Sequence, residues 1–471
     1  MLAPKTIEGD NKQQSNAQSE TAVPRRVLSS RKTDSPMIFL SCGYADGRGS
    51  LLTFMTARPD AEVVSFTEWL RQNHGEFDGR ARFISVPSGF QVIADTEIPT
   101  DTTIVSCPFS LVITKKLAEE ALLKLFNFPQ AGLDSWSERQ CIASYLGFHF
   151  ILGEESREHL SHHPYVKMLP SHDRLRTALH FTLEERELFK GSNLYGAIID
   201  RENEWRTEWV RCQEVISGVN EEWGQKFSWE LYLASSTYIS SRAFPSTLLS
   251  PNPSLQASPS AEPVLLPGVD SLNHARGKPV SWVVSYPNAT TDIPEPRISL
   301  VLHTTTVPGD ELFNNYGAKP NSELILGYGF SLSDNPDDTI LLKVGGSGQD
   351  TRKWEVGRSG RGIEGLWLEI VSLMMQSQEP GSGPIYEDEL EAASVLGDMA
   401  RSLIDRLPPA KRNFDPAQIR PDVVKMYQDY IEGQHDILDA VVAFANEKER
   451  LAIERAREQG VELVIEDDES A

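Results

Sequence analysis

Two regions of short β-like segments lie at residues 82–114 and 280–303, and a long block of helical periodicity separates them. The first region holds runs at 82–86, 90–94, 103–106 and 111–114, punctuated by Pro87, Gly89, Pro99 and Pro108. The second holds runs at 280–286 and 298–303, where Ile298, Leu300 and Leu302 alternate with Ser299, Val301 and His303. Between them, residues 116–126, 138–152, 173–189, 200–215 and 228–241 carry apolar side chains three and four apart. The two β regions are therefore expected to pair across the helical block, which makes that block an insertion, about 115–243, within one domain. After residue 330 come one strand at 339–344, a Gly-rich turn, and helices from 364 onward. The clearest of these helices sets Val423, Val424, Tyr427, Tyr430, Ile431, Ile437, Leu438, Val441 and Val442 on one helical spacing. The fold class is α+β: a β-rich domain at 63–330 interrupted by a helical insertion, followed by an all-helical domain at 340–455.

The polar, aperiodic residues 1–36 are expected to be disordered, residues 37–61 offer no clear element, and 456–471 form an acidic tail. A chain of 471 residues exceeds one ordinary core, and no apolar run approaches the ~20 residues of a membrane helix. Cys42, Cys107, Cys141 and Cys212 are too scattered for a zinc site or a secreted disulfide framework. Together with the lack of a secretory signal core, these features point to a soluble protein of the cytoplasm, the nucleus or both. The net charge of −23 argues against a nucleic-acid ligand and favours encounter with a basic protein segment. Solvation alone would account for the charge equally well.

Chemistry concentrates in two pieces. One is Asp270-Ser271-Leu272-Asn273-His274; the other is residues 311–330, ELFNNYGAKPNSELILGYGF. With the β core, the insertion and the helical end, they resemble the SET-domain methyltransferases of the Rubisco large-subunit methyltransferase group, over roughly residues 63–450. That resemblance implies S-adenosyl-L-methionine as cofactor, a protein substrate presenting a lysine in a basic segment, and no metal. It also implies roles by position. Gly89, Phe90 and Gln91 match the turn that contacts the methionine end of the cofactor, although Gln91 stands where a second glycine is usual. That exchange is harmless only if residue 91 needs no positive φ. Arg242, in Ser241-Arg242-Ala243-Phe244, would lie near the cofactor carboxylate. Asn273 and His274 would grip the cofactor, and Phe330 would stack near its adenine. Asp270, Phe244 and Tyr328 would border the substrate channel, and Tyr316 would stand at the transferring methyl.

Each residue also has a plainer reading: Arg242 as a helix-end cation, Tyr328 and Phe330 as core aromatics. Two functions stay open on the sequence, a lysine methyltransferase and a silent SET-like binding module. A histidine-directed branch of the family carries Asn and Trp at the positions of Phe244 and Val269, so the apolar pair here favours lysine.

Overall fold

A computed structural model describes residues 60–127, 132–254, 260–287, 293–344, 352–375 and 383–463. The expectations for residues 1–36, for 37–61 up to residue 59, and for the chain end from 464 fall outside the described residues.

The first β region forms β1 (Glu76–Phe77), β2 (Ala81–Val86), β3 (Gly89–Ala94) and β4 (Thr102–Pro108). Beyond the insertion come β5 (Phe244–Pro245), β6 (Pro263–Val264), β7 (Asn273–His274), β8 (Val280–Ser285), β9 (Arg297–Leu302) and β10 (Phe313–Asn314). One antiparallel sheet has the order β1-β4-β9-β8, so strands from either side of the insertion lie side by side, as the sequence pattern requires. Ile104, Val105 and Cys107 on β4 and Ile298, Leu300 and Leu302 on β9 are wholly buried. Burial of each larger aliphatic side chain contributes roughly 1.5–3 kcal/mol. The one polar pair inside this seam, Ser106 and Ser299, is satisfied by a hydroxyl–hydroxyl bond of 2.7 Å.

The insertion helices start where hydroxyl side chains can cap them. Thr114 caps Lys115–Phe126, Ser137 and Gln140 form a capping box for Glu138–Leu152, Ser192 caps Asn193–Val219, and Ser228 caps Trp229–Arg242. The helix expected at 173–189 does not form. Ser171, Thr177 and Thr182 adopt extended backbone and divide the stretch into short turns, His172–Arg174 and Ala178–His180, and one short helix, Leu183–Glu187. Its apolar residues Leu175, Ala178, Leu179, Phe181, Leu188 and Phe189 are buried, whereas Leu183 is 75% exposed, so the helical spacing is met by separate short turns rather than by one helical face. The strand expected at 111–114 reduces to a 3-10 turn, Phe109–Leu111, and a single bridge from Ile113 to Leu265.

Past residue 330, β11 (Thr339–Val344) and β12 (Arg352–Gly357) form a hairpin ahead of three helices, Ile363–Met374, Tyr386–Arg406 and Pro421–Glu458. The long last helix joins two cores. Val423, Met426, Tyr427, Tyr430 and Ile431 pack into the core of the β domain and insertion, whereas Ile437, Leu438, Val441 and Ala445 pack with the hairpin and the other C-terminal helices. Polar contacts fix the first half. Glu185, fully buried, accepts from Arg420 Nη2 at 2.6 Å and Nε at 2.8 Å, and the Tyr430 hydroxyl accepts from the Leu194 amide at 3.2 Å. Removing Arg420 would strand a buried carboxylate. Arg420→Ala is therefore expected to lower the unfolding free energy by about 3 kcal/mol in urea titrations.

His162 ties the insertion to the core. Its Nε2 lies 3.1 Å from the Leu111 carbonyl, so that nitrogen carries the proton and Nδ1 accepts from the Tyr145 hydroxyl at 2.6 Å. Burial pushes this imidazole down to about 4. Unfolded, it would titrate near 6.5, so the unfolded chain binds the proton more tightly. The stability contribution is complete above about pH 6.5 and is lost as pH falls toward 4, up to about 3 kcal/mol. Thermal unfolding between pH 4.5 and 7.5 should show this fall, and His162→Gln should flatten it while lowering the melting temperature at pH 7.5.

Candidate active site

Two residues of parallel pairing bring the motif halves together: Phe313 lies opposite Asn273, and Asn314 opposite His274. The Ala275 amide donates to the Asn314 carbonyl at 2.9 Å. The Tyr316 amide donates to His274 Nδ1 at 3.0 Å, and the two rings stack with centroids 5.1 Å apart. Because Nδ1 accepts, Nε2 carries the proton of a neutral ring. Burial, assisted by Lys319 and Arg276, pushes this imidazole down.

Next along the chain, Leu324–Tyr328 is a single π-helical turn, closed by Gly329 in the left-handed region at φ 83°. A side chain on Gly329 would meet the Arg176 and Thr177 backbone at 2.6–2.7 Å, so glycine is required there. This turn sets Tyr328 against Tyr316, centroids 5.2 Å apart, and Phe330 edge-on to Tyr328 at 6.3 Å.

Two clefts meet at these aromatics. The larger is walled by Arg174, Arg176, Asn273, His274 and Phe330. The smaller is walled by Phe244, Trp282, Asn315, Gly317 and Lys319. Ser241, Arg242, Asp270, Tyr316 and Tyr328 line both. The four residues expected at the cofactor from Arg242 onward thus share one cleft, and Phe244 and Tyr328, expected at the substrate, share the other.

At the junction, Arg242 Nη1 donates to the Asp270 carbonyl at 3.0 Å and lies 3.4 Å from its carboxylate. Asp270 also accepts from the Tyr165 hydroxyl at 2.7 Å. Burial pushes the Asp270 carboxyl up, with Arg242 and Tyr165 opposing. Asp270 therefore sits between the clefts and not on the substrate side alone. The Tyr316 hydroxyl donates to the Leu272 carbonyl at 2.9 Å, which commits its proton and leaves its lone pairs to accept. Burial pushes that phenol up, so it stays neutral near pH 7. Asn273 Nδ2 donates to Glu311 Oε1 at 2.8 Å. A carboxylate only accepts, so this contact fixes the amide orientation and leaves Oδ1 as a free acceptor.

Gly89, Phe90 and Gln91 do not line the larger cleft; from that hairpin only Ser88 does. Positive φ falls at Gly89, 135°, and not at Gln91, which pairs with Ile84 as an ordinary strand residue. The missing second glycine therefore costs no backbone strain. Phe90 faces a small neighbouring pocket with Phe66 and Phe83. Sequence reasoning missed Ser88, Arg174, Arg176, Thr177, Trp282 and Lys319. For the 174–177 group the signal was Pro170 with hydroxyl residues at 171, 177 and 182, which break a helix into the extended wall seen here.

No family model matches the chain. Among curated proteins it is 32% identical over 252 residues to a ribosomal lysine N-methyltransferase, set10, of Schizosaccharomyces pombe, covering 54% of this chain and 41% of that protein. It is 41% identical over 118 residues to ribosomal lysine N-methyltransferase 1 of Saccharomyces cerevisiae, covering 25% of this chain and 18% of that one. The protein-lysine N-methyltransferase EFM1 of the same yeast is 24% identical over 80% of this chain and 72% of its own length. The chain thus spans less than half the length of the first two relatives. Among solved structures, the SET domain of LSMT bound to lysine and AdoHcy superposes with a TM-score of 0.67 at 15% identity, over 84% of this chain and 93% of that one. Rubisco LSMT bound to AdoMet gives 0.64 at 15% identity, over 87% and 98%. The chain has a SET-domain fold, a mixed α/β core followed by a helical C-terminal region, of the architecture found in Rubisco LSMT.

Proposed function

We propose that the chain is an S-adenosylmethionine-dependent protein-lysine N-methyltransferase. The observation that carries this reading is the meeting of two clefts at one neutral tyrosine hydroxyl, Tyr316, whose proton is already committed to a backbone carbonyl. The larger cleft suits the cofactor: it offers guanidinium groups for a carboxylate, a fixed amide acceptor on Asn273 for an ammonium, and the Phe330 ring for a purine. When bound, S-adenosylmethionine supplies an electrophilic methyl carbon and leaves as the neutral thioether.

The chain's own residues align and desolvate. Phe244, Tyr328 and Trp282 give the smaller cleft aromatic walls suited to the aliphatic stem of a lysine. The amine must enter without its proton. A free lysine has a pKa of about 10.4, so at pH 7 about one amine in 2,500 is neutral, a cost of ~4.6 kcal/mol. Loss of water on entering the cleft reduces that cost, and the proton leaves to solvent through the mouth. The oriented Tyr316 oxygen can accept from the amine or from the methyl hydrogens. As a neutral phenol it aligns the amine and does not serve as a base. Phe244 in the wall favours lysine over histidine as acceptor. A ribosomal or translation protein is the acceptor class we favour; what supports it is the similarity to the two ribosomal lysine methyltransferases.

Two measurements test this. Calorimetric titration of S-adenosylmethionine should show saturable one-site binding that Asn273→Ala weakens at least tenfold; a folded chain that binds none would point to a silent binding module. Tyr316→Phe should keep cofactor affinity within about threefold while lowering the transfer rate by about 10²-fold, the scale of one lost oriented polar group at a reacting centre.

A further inference from the structure

Lys319 stands on the wall of the smaller cleft, between the aromatic pair and the turn that follows it. Its side chain is 20% exposed, and its Nζ lies 5.5 Å from the Tyr328 ring centroid. Glu323, one helical turn on, is its ion-pair partner. Glu323 lines a different cavity, whereas Lys319 and the Tyr328 ring beside its ammonium both line the smaller cleft. The Asn335 side chain donates to the Lys319 carbonyl at 2.8 Å and pins the backbone. Burial would tend to discharge the ammonium, but the Tyr328 hydroxyl and Glu323 hold it above its ordinary value, so it remains a cation.

Glu323 compensates that charge only in part, and among the described residues the other carboxylates near the cleft are engaged elsewhere. Asp270 across the cleft is engaged by Arg242, and Asp337, behind His274, is engaged by Arg276 at 2.6 Å. Tyr316 and Tyr328 are neutral phenols, both pushed up by burial. The positive field of Lys319 already reaches the site, since it contributes to the lowering at His274.

We propose that Lys319 acts on the acceptor: its fixed ammonium repels the proton of an incoming lysine, so that the acceptor occupies the smaller cleft as the neutral amine. The inference rests on the methyl-transfer reading above. An ammonium in that cleft would face a like charge at short range, whereas the neutral amine would not, and such a difference shifts a pKa by roughly one unit when the repelling charge is itself partly compensated. The proton passes to solvent before the amine nitrogen forms its bond to carbon. Lys319 thereby weakens binding of the resting ammonium form and favours the reactive one, a contribution made by the protein and separate from the cofactor's own charge.

The test uses the full chain loaded with S-adenosylhomocysteine, which lacks the sulfonium charge, and N-acetyl-lysine amide as the probe. Calorimetry in buffers of different ionisation enthalpy counts the protons released on binding between pH 6.5 and 10. Native chain and K319R should release the proton with the same midpoint, and K319M should move that midpoint up by about one unit. In transfer assays K319M should lose rate near pH 7.5 and regain it as pH rises, whereas a purely structural loss would be uniform in pH. An unchanged midpoint in K319M, or a K319R that behaves like K319M, overturns the inference. So does a chain that binds S-adenosylhomocysteine but no amine. A chain that binds neither overturns the methyl-transfer reading as well.

Discussion

The site depends on one very short piece of backbone pairing. β7 and β10 are two residues each, yet their parallel register sets Asn273 beside Phe313 and His274 beside Asn314, and the placement of Tyr316 follows from it. The Tyr316 amide can reach His274 Nδ1, and the Tyr316 hydroxyl can reach the Leu272 carbonyl, only in that register. A slip by one residue would turn each side chain to the opposite face. Two residue pairs cannot hold themselves together. They are held by what flanks them: the buried β4–β9 seam, the bridge between Ile93 and Glu311, and the Arg276–Asp337 ion pair.

The helical parts complete the clefts and also cover the core. Segment 170–177 forms a wall of the larger cleft, and Arg174 clamps the β2–β3 turn through the Val86 and Pro87 carbonyls. Arg176 in the same segment pairs with Asp422 at the start of the long last helix at 2.9 Å. Ser331 and Ser333, just past Phe330, donate to Asp429 on that helix. Gly433 lets Asp338 approach, since an added Cβ would lie 2.4 Å from its carboxylate. The C-terminal helix therefore touches both the segment that walls the larger cleft and the loop that follows its aromatic residues.

Much of this was legible in the sequence. The β-helix-β order required pairing across the insertion, because a period of two at 298–303 needs a partner strand and the second β region alone supplies too few. The motif residues Arg242, Asn273, His274, Tyr316, Tyr328 and Phe330 could be named because the segments that carry them resemble those of the SET-domain methyltransferases; their residue types alone would not have singled them out. The stretch at 173–189 misled, because its buried apolar residues lie three and four apart although Ser171, Thr177 and Thr182, in extended backbone, divide it into short turns. Gly89, Phe90 and Gln91 were placed at the cofactor by resemblance to a glycine turn, and only Ser88 of that hairpin lines the cleft. Lys319 and Trp282 went unnoticed because a lone lysine in a loop and a tryptophan in a strand carry no periodic signal. Their meaning comes from which cavity they face.

The central claim is that the junction of the two clefts transfers a methyl group to a lysine nitrogen. The most direct measurement incubates the full chain with isotope-labelled S-adenosylmethionine and total ribosomal protein, then maps the label by peptide mass spectrometry. The account predicts labelled methyl on the side-chain nitrogen of a lysine, incorporated about 10²-fold more slowly when Tyr316→Phe replaces the native chain. Label on histidine, or no label from a chain that binds the cofactor, would contradict it.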